Sequence, residues 1–418
     1  MDLAGKKIVL GLTGGIACYK AAELTRLLTG AGAQVQIVMT DAATHFITAV
    51  TMQALSGRPV ALDQWDGRIP NNMPHIEHTR DADAIVIAPC SADFLSKLVH
   101  GACDDLLSTL CVARPAHVPL LVAPAMNVEM WQNPATQRNA RQAADDGITL
   151  LGPAAGVQAC GETGMGRMLE PADLLEELIH AFSPKLLAGK SVLITAGPTF
   201  EPIDPVRGIT NLSSGKMGYA VARAARNAGA AVTLVSGPVA LPAPAGVTRI
   251  SVQTAQQMHD AVMSAVPGQQ VFIAVAAVAD WRVANASTRK IKKQHDQPDK
   301  SGGPQLEFEQ NPDILASVAA LPDAPYCVGF AAESENLIEH GQAKRERKAV
   351  PLLVGNLGPA TFGRDTNELV LFDAAGHVTL PAADKQVLAT GLIAEIARRL
   401  TTSQTAAVAA TAIQKRTA

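Results

Sequence analysis

The chain has 418 residues, of which 48% are hydrophobic and 17% charged, and its formal net charge is −3. This length and composition predict a globular protein of two or three domains rather than a disordered chain. The charge offers no basic footprint, which argues against a nucleic-acid partner. No apolar run approaches the ~18 residues of a membrane span, so no membrane partner is expected. The six cysteines include no C-x-x-C pair and the first residues lead straight into a strand, so we predict a cytoplasmic protein without a signal peptide.

The first predicted elements form one crossover unit of a parallel sheet. An apolar strand at 8–13 is followed by the turn Gly14-Gly15, a helix over 16–30 and a second strand at 35–40. A helix N-terminus after such a turn can bind an anion, although many glycine turns are only tight turns. The P-loop motif is absent from the sequence, which excludes that class of phosphate site.

Two further apolar runs, 84–89 and 118–124, predict strands buried on both faces. Ligands of open α/β sheets bind at the carboxyl ends of the strands. We therefore expect a pocket lined by Ser91, Thr109, Met126 and Asn127. Of two loop histidines, His75 is the stronger candidate for catalysis and His78 is expected on a helix surface. Four glycines surround Cys160, and they predict a mobile flap over the pocket.

Residues 124–131 have the uncommon sequence Pro-Ala-Met-Asn-Val-Glu-Met-Trp. Together with His75 and the glycine-rich segment around Cys160, this octapeptide resembles the flavin-dependent cysteine decarboxylases, among them phosphopantothenoylcysteine decarboxylase. The resemblance implies bound FMN, oxidation of the thiol-bearing carbon to a thioaldehyde, loss of carbon dioxide and reduction of the resulting ene-thiol. It also implies that His75 acts as a base, that Asn127 orients the substrate carboxylate and that Cys160 protonates the ene-thiolate.

The same resemblance implies sites formed between the subunits of a trimer, so His75 and the flavin can come from different chains. The flavin contacts that it implies, together with strand-end position, are Gly14, Gly15, Thr40, Ser91, Thr109 and Met126.

The second half repeats the order of strand, glycine-containing loop, helix and strand from about residue 190. Its loop presents Asn211 and Lys216 at a predicted helix N-terminus, which suits an anion. A central strand is predicted over 271–280, with Asp280 at its end as a ribose or metal partner, and a hairpin over 368–381. The lysine cluster 289–293 is either a solvated surface or closes over a polyphosphate together with the loop 294–304.

Six motifs in order, beginning with Thr-Ala-Gly-Pro-Thr at 195–199, resemble the bacterial, CTP-using phosphopantothenate–cysteine ligases over 190–400. The resemblance implies an acyl-cytidylate held by Asn211 and a transfer to cysteine stabilised by Lys290. A divalent cation such as Mg²⁺ is expected with a polyphosphate, although its ligands cannot be named. The nucleotide contacts implied, besides Lys290, are Ala274, Val275, Ala276, Asp280, Asn311, Pro312, Asp313, Ile314, Phe330, Lys344 and Lys348.

The predicted fold class is α/β, with two doubly wound, Rossmann-like domains at 1–189 and 190–400 and a disordered tail at 401–418. The resemblances imply a bifunctional enzyme of coenzyme A biosynthesis that makes phosphopantothenoylcysteine from phosphopantothenate, cysteine and CTP and then decarboxylates it. They also imply a homo-oligomer with trimeric decarboxylase and dimeric ligase contacts. The alternatives for the first half are another flavin-dependent cysteine decarboxylase or a flavin prenyltransferase. A binding protein without catalysis would lack Cys160, Asn211 or Lys290, and an NAD-dependent dehydrogenase would need G-x-G-x-x-G.

Overall fold

The computed structural model describes residues 2–66, 72–292, 305–333, 335–357 and 364–414, with side chains as far as 402. The chain divides into a first unit, Met1–Phe182, and a second unit, Ser183–Ala418. This division falls a few residues before the predicted boundary at 189. No helix among the described residues is long and apolar enough to cross a membrane.

The first unit is a parallel sheet covered by helices, with one hairpin outside it. The sheet has the order β2-β1-β3-β4-β5, and the hairpin β6–β7 is antiparallel. The strands are β1 (Lys7–Leu12), β2 (Gln34–Met39), β3 (Ala84–Cys90), β4 (Leu120–Pro124), β5 (Thr149–Leu150), β6 (Ala154–Val157) and β7 (Thr163–Arg167). The helices are α1 (Cys18–Gly30), α2 (Asp41–Thr44), α3 (Ala49–Ser56), α4 (Pro74–Arg80), α5 (Ala92–His100), α6 (Leu106–Ala113), α7 (Val128–Gln132), α8 (Pro134–Asp145) and α9 (Pro171–Phe182).

Both faces of this sheet are buried, because alternate strand residues enter two different apolar cores. Leu10 packs in one core with residues of α1 and α9, such as Leu24 and Leu174. Ile87 packs in the other with residues of α5 and α6, such as Leu107. A strand buried on both faces explains the continuous apolar run at 84–89. The predicted doubly wound architecture is confirmed for this unit.

The second unit has an eight-stranded sheet of order β12-β11-β8-β13-β16-β17-β18-β19 and two small strand pairs, β9–β10 and β14–β15. The strands are β8 (Ser191–Ala196), β9 (Phe200–Pro202), β10 (Gly208–Thr210), β11 (Ala231–Ser236), β12 (Thr248–Ser251), β13 (Val271–Ala274), β14 (Trp281–Val283), β15 (Phe308–Gln310), β16 (Tyr326–Glu333), β17 (Leu352–Leu357), β18 (Thr366–Asp373) and β19 (Gly376–Asp384). The helices are α10 (Lys216–Asn227), α11 (Ala255–Ala265), α12 (Ile314–Ala319), α13 (Leu337–Lys348) and α14 (Lys385–Gln414).

Two apolar cores again cover the two faces of this sheet, one built with α10 and α14 and the other with α11 and α12. Neighbouring strands of this sheet are parallel in the part ordered β12-β11-β8-β13-β16-β17. Strands β18 and β19 then extend the sheet at one edge in antiparallel pairs. These last two strands confirm the hairpin predicted over 368–381. The second unit is therefore also a doubly wound α/β fold.

The predicted strand over 271–280 is wrong in its length, because β13 ends at Ala274. The following residues leave the ladder and pair with the loop after β8, where the Ala277 N–H donates to Gly197 O at 2.9 Å and Thr199 N–H donates to Ala277 O at 3.2 Å. Alanine has a low strand propensity, and small side chains allow this close approach of two loops. Asp280 consequently lies beyond the strand, immediately before β14.

The end of the chain also differs from the prediction. Helix α14 continues to Gln414, into the segment 401–418 for which disorder is predicted. The high alanine content of this segment favours helix, which outweighs its lack of an apolar pattern.

Candidate active sites

A cavity of about 580 Å³ opens at the carboxyl ends of β1, β3 and β4 in the first unit. Its walls come from the turn after β1, the N-terminal ends of α1 and α5, the turn after β4 and the hairpin β6–β7. Six predicted site residues line it: Gly14, Gly15, Ser91, Met126, Asn127 and Cys160. The cavity thus joins residues from four separate stretches of the sequence.

The orientation of the Asn127 side chain follows from its place at the start of α7. Its Oδ1 accepts from the Glu129 N–H at 2.8 Å, which is the usual bond of an N-terminal cap. The amide nitrogen therefore faces away from the helix and donates to the Glu162 carboxylate. The same nitrogen lies 3.6 Å from Cys160 Sγ. The cap aims a neutral donor at the cavity.

The glycine-rich segment forms an antiparallel hairpin that carries Cys160 and Glu162 at its exposed tip. Its base is fixed to the turn after β4, since Met126 N–H donates to Gly166 O at 2.9 Å. Gly166 has φ +138°, and an added Cβ would lie 2.4 Å from Met126 O. Gln158 adds a bond from Val128 N–H to its Oε1 at 2.9 Å. The hairpin is therefore held against the turn after β4 both at Gly166 in β7 and at Gln158 in the loop between its strands.

One residue beside this cavity, Glu162, and one that lines it, Lys20, were not found from the sequence. Glu162 lies at the hairpin tip with Oε2 3.6 Å from Cys160 Sγ. Lys20 lines the cavity and is only 6% exposed, and its Nζ donates to Met168 O at 3.0 Å and Glu170 Oε1 at 2.8 Å. Lysine is seldom buried unless paired, so its position beside Cys18 and Ala21 on the buried side of α1 was the available signal.

Three predicted residues of the first unit do not line the cavity within this chain. Thr40 caps α2 by accepting from Ala43 N–H at 3.2 Å, and Thr109 Oγ1 donates to Asp105 O at 2.7 Å. His75 is half-buried in α4. His78 is also half-buried rather than on the surface, and burial lowers its pKa below the ordinary value.

The second unit has a cavity of about 280 Å³ around the carboxyl ends of β8 and β13. Two residues predicted to contact the nucleotide, Val275 and Lys290, do not line it. The predicted residues that do are Ala274, Ala276, Asp280, Asn311, Pro312, Asp313, Ile314, Phe330, Lys344 and Lys348.

Both lysines of this cavity are paired with carboxylates. Lys344 Nζ lies 3.4 Å from Glu333 Oε1, and Lys348 donates to Asp313. Burial alone would raise the pKa of Asp313, but the bonds from Lys348 and from the Ala316 N–H outweigh this effect. The pKa is therefore lowered, and the carboxyl stays charged. An entering anion can replace these carboxylates as the partner of the two ammonium groups.

Asn211 and Asn311, the two asparagines predicted at the sites of this unit, have different positions and contacts. The buried Asn311 is bonded at both ends of its amide, because its Nδ2 donates to Ala279 O at 2.8 Å and its Oδ1 accepts from Arg282 at 3.1 Å. It therefore shapes the cavity wall. Asn211 lines an adjoining groove of about 610 Å³ that shares Ala279 and Asp280 with the cavity.

Lys290 is exposed and lies in a stretch without helix or strand. The rest of the predicted lysine cluster and loop, from Lys293 through 304, lies outside the described residues. In the part of the chain that the structure describes, no three His, Cys, Asp or Glu side chains are grouped to hold a metal ion.

Two doubly wound units, each with a cavity at the carboxyl ends of its parallel strands, define a two-site enzyme of the α/β class. Residues 1–183 match the family described as Flavoprotein, and residues 187–400 match the DNA/pantothenate metabolism flavoprotein C-terminal domain. These two matches, together with relatives that align over nearly the whole chain, show that it belongs to the family of coenzyme A biosynthesis bifunctional proteins, which join a decarboxylase and a ligase.

Relatives that align with this chain over nearly their whole length support this assignment. The chain is 49% identical to the coenzyme A biosynthesis bifunctional protein CoaBC of Vibrio cholerae, over 94% of this chain and 98% of that one. It is 47% identical to the CoaBC protein of Escherichia coli K12, over 96% and 98%. The alternatives of another cysteine decarboxylase or a prenyltransferase are not favoured.

Solved structures resemble each half separately. The C-terminal domain of a CoaBC protein is 37% identical, covers 52% of this chain and 99% of its own, and has a TM-score of 0.44. A PPC decarboxylase mutant complexed with pantothenoylaminoethenethiol is 36% identical, covers 42% of this chain and 97% of its own, and has a TM-score of 0.38.

Proposed function

We propose that the second unit makes phosphopantothenoylcysteine with CTP and that the first unit decarboxylates it with FMN to phosphopantetheine. The observation that carries the proposal is the meeting of Asn127 and Cys160 with the Gly14-Gly15 turn at one cavity.

The cavity of the first unit fits FMN in size and in chemistry. Its volume of about 580 Å³ is in the range of ligand sites, and the N-terminal ends of α1 and α5 both line it. Free N–H groups at helix N-termini favour a phosphate. Bound FMN would supply oxidation at the thiol-bearing carbon and return the electrons after carbon dioxide has left.

The protein's own groups would orient the substrate and move one proton. The Asn127 Nδ2 would bind the substrate carboxylate in place of Glu162, and a neutral amide would hold it without opposing its departure as carbon dioxide. The adjacent Cys160 Sγ would then give its proton to the ene-thiolate. Closure of the hairpin tip would keep water from the thioaldehyde.

The base that assists the oxidation would be His75 from a second copy of the chain. His75 does not line the cavity of its own chain, and several apolar side chains of the first unit are strongly exposed. Among them are Ile16, Tyr19, Val50 and Trp65. We assign them to subunit contacts, with trimers of the first unit and dimers of the second.

In the second unit, the phosphopantothenate carboxylate would attack the α-phosphorus of CTP and release pyrophosphate. The amine of cysteine would then attack the acyl carbon of the acyl-cytidylate and release CMP. Lys344 and Lys348 would bind phosphate oxygens, Asn211 would hold the acyl-cytidylate and Lys290 would stabilise the second transfer. Mg²⁺ would be held mainly through the polyphosphate, as is usual for this ion. These substrates, and the six cysteines that are all free, suit the cytoplasm.

The test supplies purified protein with phosphopantothenate, cysteine, CTP and Mg²⁺ and follows pyrophosphate, CMP, carbon dioxide and phosphopantetheine. We expect all four products, a yellow protein with flavin absorbance and little activity with ATP. A protein that binds no flavin contradicts the first half, and pyrophosphate release independent of phosphopantothenate contradicts the second.

A further inference from the structure

Asp204 is a buried carboxylate with an unusually complete set of donors. It lies in the turn between β9 and β10, and its side chain is 0% exposed. Its Oδ1 accepts from the N–H groups of Val206 and Arg207 at 2.8 and 2.9 Å. Its Oδ2 accepts from Arg207 Nε at 3.1 Å and Nη2 at 2.5 Å. The Arg207 side chain holds the pKa of Asp204 well below its usual range, so this group is charged at neutral pH.

Two contacts of this ion pair leave the turn and reach a distant part of the chain. The Ile291 N–H donates to Asp204 Oδ2 at 3.1 Å, and Arg207 Nη2 donates to Ile291 O at 2.7 Å. Both backbone groups of one residue are thus bound by the same ion pair. Ser287 N–H adds a bond to Ile203 O at 2.9 Å. The bound residue directly follows Lys290.

The turn is joined at its other end to the second proposed catalytic residue. β10 ends at Thr210, immediately before Asn211, and Thr210 Oγ1 donates to Thr199 O at 2.7 Å. Asn211 Nδ2 donates to Ala277 O at 2.9 Å. One short turn therefore connects the backbone beside Lys290 with the strand that leads to Asn211.

A local stabilising role accounts for the bonds inside the turn, but it does not require contacts to Ile291. Residues 286–292 have no helix or strand to hold them, so the ion pair is a main constraint on this stretch. We infer that Asp204 is a positioning residue of the ligase: with Arg207 it clamps Ile291 and so determines where Lys290 stands. The inference rests on the role proposed for Lys290.

The experiment compares Asp204→Asn with Lys290→Gln and separates the two ligase steps. Pyrophosphate release without cysteine reports activation, and cysteine-dependent CMP release reports transfer. We expect Asp204→Asn to slow transfer on the order of tenfold to a hundredfold, in the same direction as Lys290→Gln, with the KM for CTP nearly unchanged. The double variant should be no slower than Lys290→Gln alone, because both changes disable one group.

Asp373→Asn is the matched control, since Asp373 also pairs with an arginine, Arg399, at 2.6 Å but belongs to β18. If Asp204→Asn lowers both steps and thermal stability only as far as this control does, its role is structural and the inference is overturned. If Lys290→Gln slows transfer and Asp204→Asn does not, the positioning role of Asp204 is wrong while the proposed function stands. If Lys290→Gln itself has no effect, the proposed role of Lys290 fails.

Arg207→Lys provides a second variant should Asp204→Asn not fold. Lysine keeps the charge but cannot bridge a carboxylate and a carbonyl with a planar fork. The same selective loss of transfer is expected, and an unchanged transfer rate would refute the clamp.

Discussion

The side-chain nitrogen of Asn127 lies 3.6 Å from Cys160 Sγ, although 33 positions separate the two residues in the chain. Glu162 binds to the same amide and lies equally close to the thiol, with 3.6 Å between Oε2 and Sγ. The proposed carboxylate anchor and the proposed proton donor are therefore neighbours before any substrate binds.

Cys160→Ala is expected to stop decarboxylation and leave ligation intact. Loss of a general acid commonly reduces the rate about 10²- to 10⁴-fold, and an oxidised, decarboxylated intermediate should accumulate. Mass spectrometry of the reaction mixture detects it. Cys103→Ala, which removes another exposed cysteine of the first unit, serves as the control. Phosphopantetheine formed at the normal rate by Cys160→Ala would exclude the donor role.

Glu162→Gln is expected to lower the KM for phosphopantothenoylcysteine. The Glu162 carboxylate competes with the substrate carboxylate for the Asn127 amide and repels it at close range. Interactions between exposed charges amount to roughly 0.5–1 kcal/mol, which corresponds to about a twofold to fivefold change. Steady-state kinetics at several salt concentrations measure it. A tenfold rise in KM would instead make Glu162 a group that binds the substrate.

Gly166→Ala is expected to damage the decarboxylase far more than Gly161→Ala. Both glycines have positive φ, so either change introduces roughly 1–3 kcal/mol of backbone strain. At Gly166 the new Cβ also collides with Met126 O, whereas at Gly161 nothing lies within 4 Å. Thermal unfolding and decarboxylation rates of the two variants compare these costs. Equal losses would show that the hairpin base does not depend on this contact.

Mixing His75→Asn with Cys160→Ala tests whether the site is shared between subunits. Each variant alone should be inactive in decarboxylation. After co-refolding or co-expression at equal amounts, roughly a quarter of the sites in a trimer would contain both native residues. Recovery of activity on that scale is expected. Mixed trimers that remain inactive would require His75 to act within its own chain.

The stability of the second unit should fall as pH drops below about 4. Hydrogen bonds from Arg207 hold the pKa of Asp204 below its unfolded value. A depressed carboxyl pKa stabilises the fold above the unfolded pKa of about 3.9, and this contribution is lost as pH falls through the folded value. Denaturant unfolding of Asp204→Asn between pH 3 and 5 should therefore show a shallower dependence on pH than the native protein. Identical pH dependences of stability in the two proteins would mean that Asp204 does not form an ion pair with Arg207 in solution.

Much of the first cavity could be predicted because it depends on strand ends. Apolar runs located β1, β3 and β4, and the carboxyl ends of parallel strands share one edge, so Gly14, Ser91 and Asn127 were expected together. Glu162 and Lys20 were not found, since their importance comes from contacts across the fold. Thr40 follows β2 directly, whereas Thr109 lies inside α6, and the cavity reaches neither residue within one chain.

The sequence by itself determined the two doubly wound units, because continuous apolar runs and glycine turns are local properties of the chain. Through the resemblance to the ligases it also predicted catalytic roles for Lys290 and Asn211. Only the tertiary structure decided that β13 stops at Ala274, and that an ion pair between the buried Asp204 carboxylate and Arg207 binds the backbone beside Lys290. Such contacts join segments distant in sequence, and no local pattern of residues encodes which segments will meet.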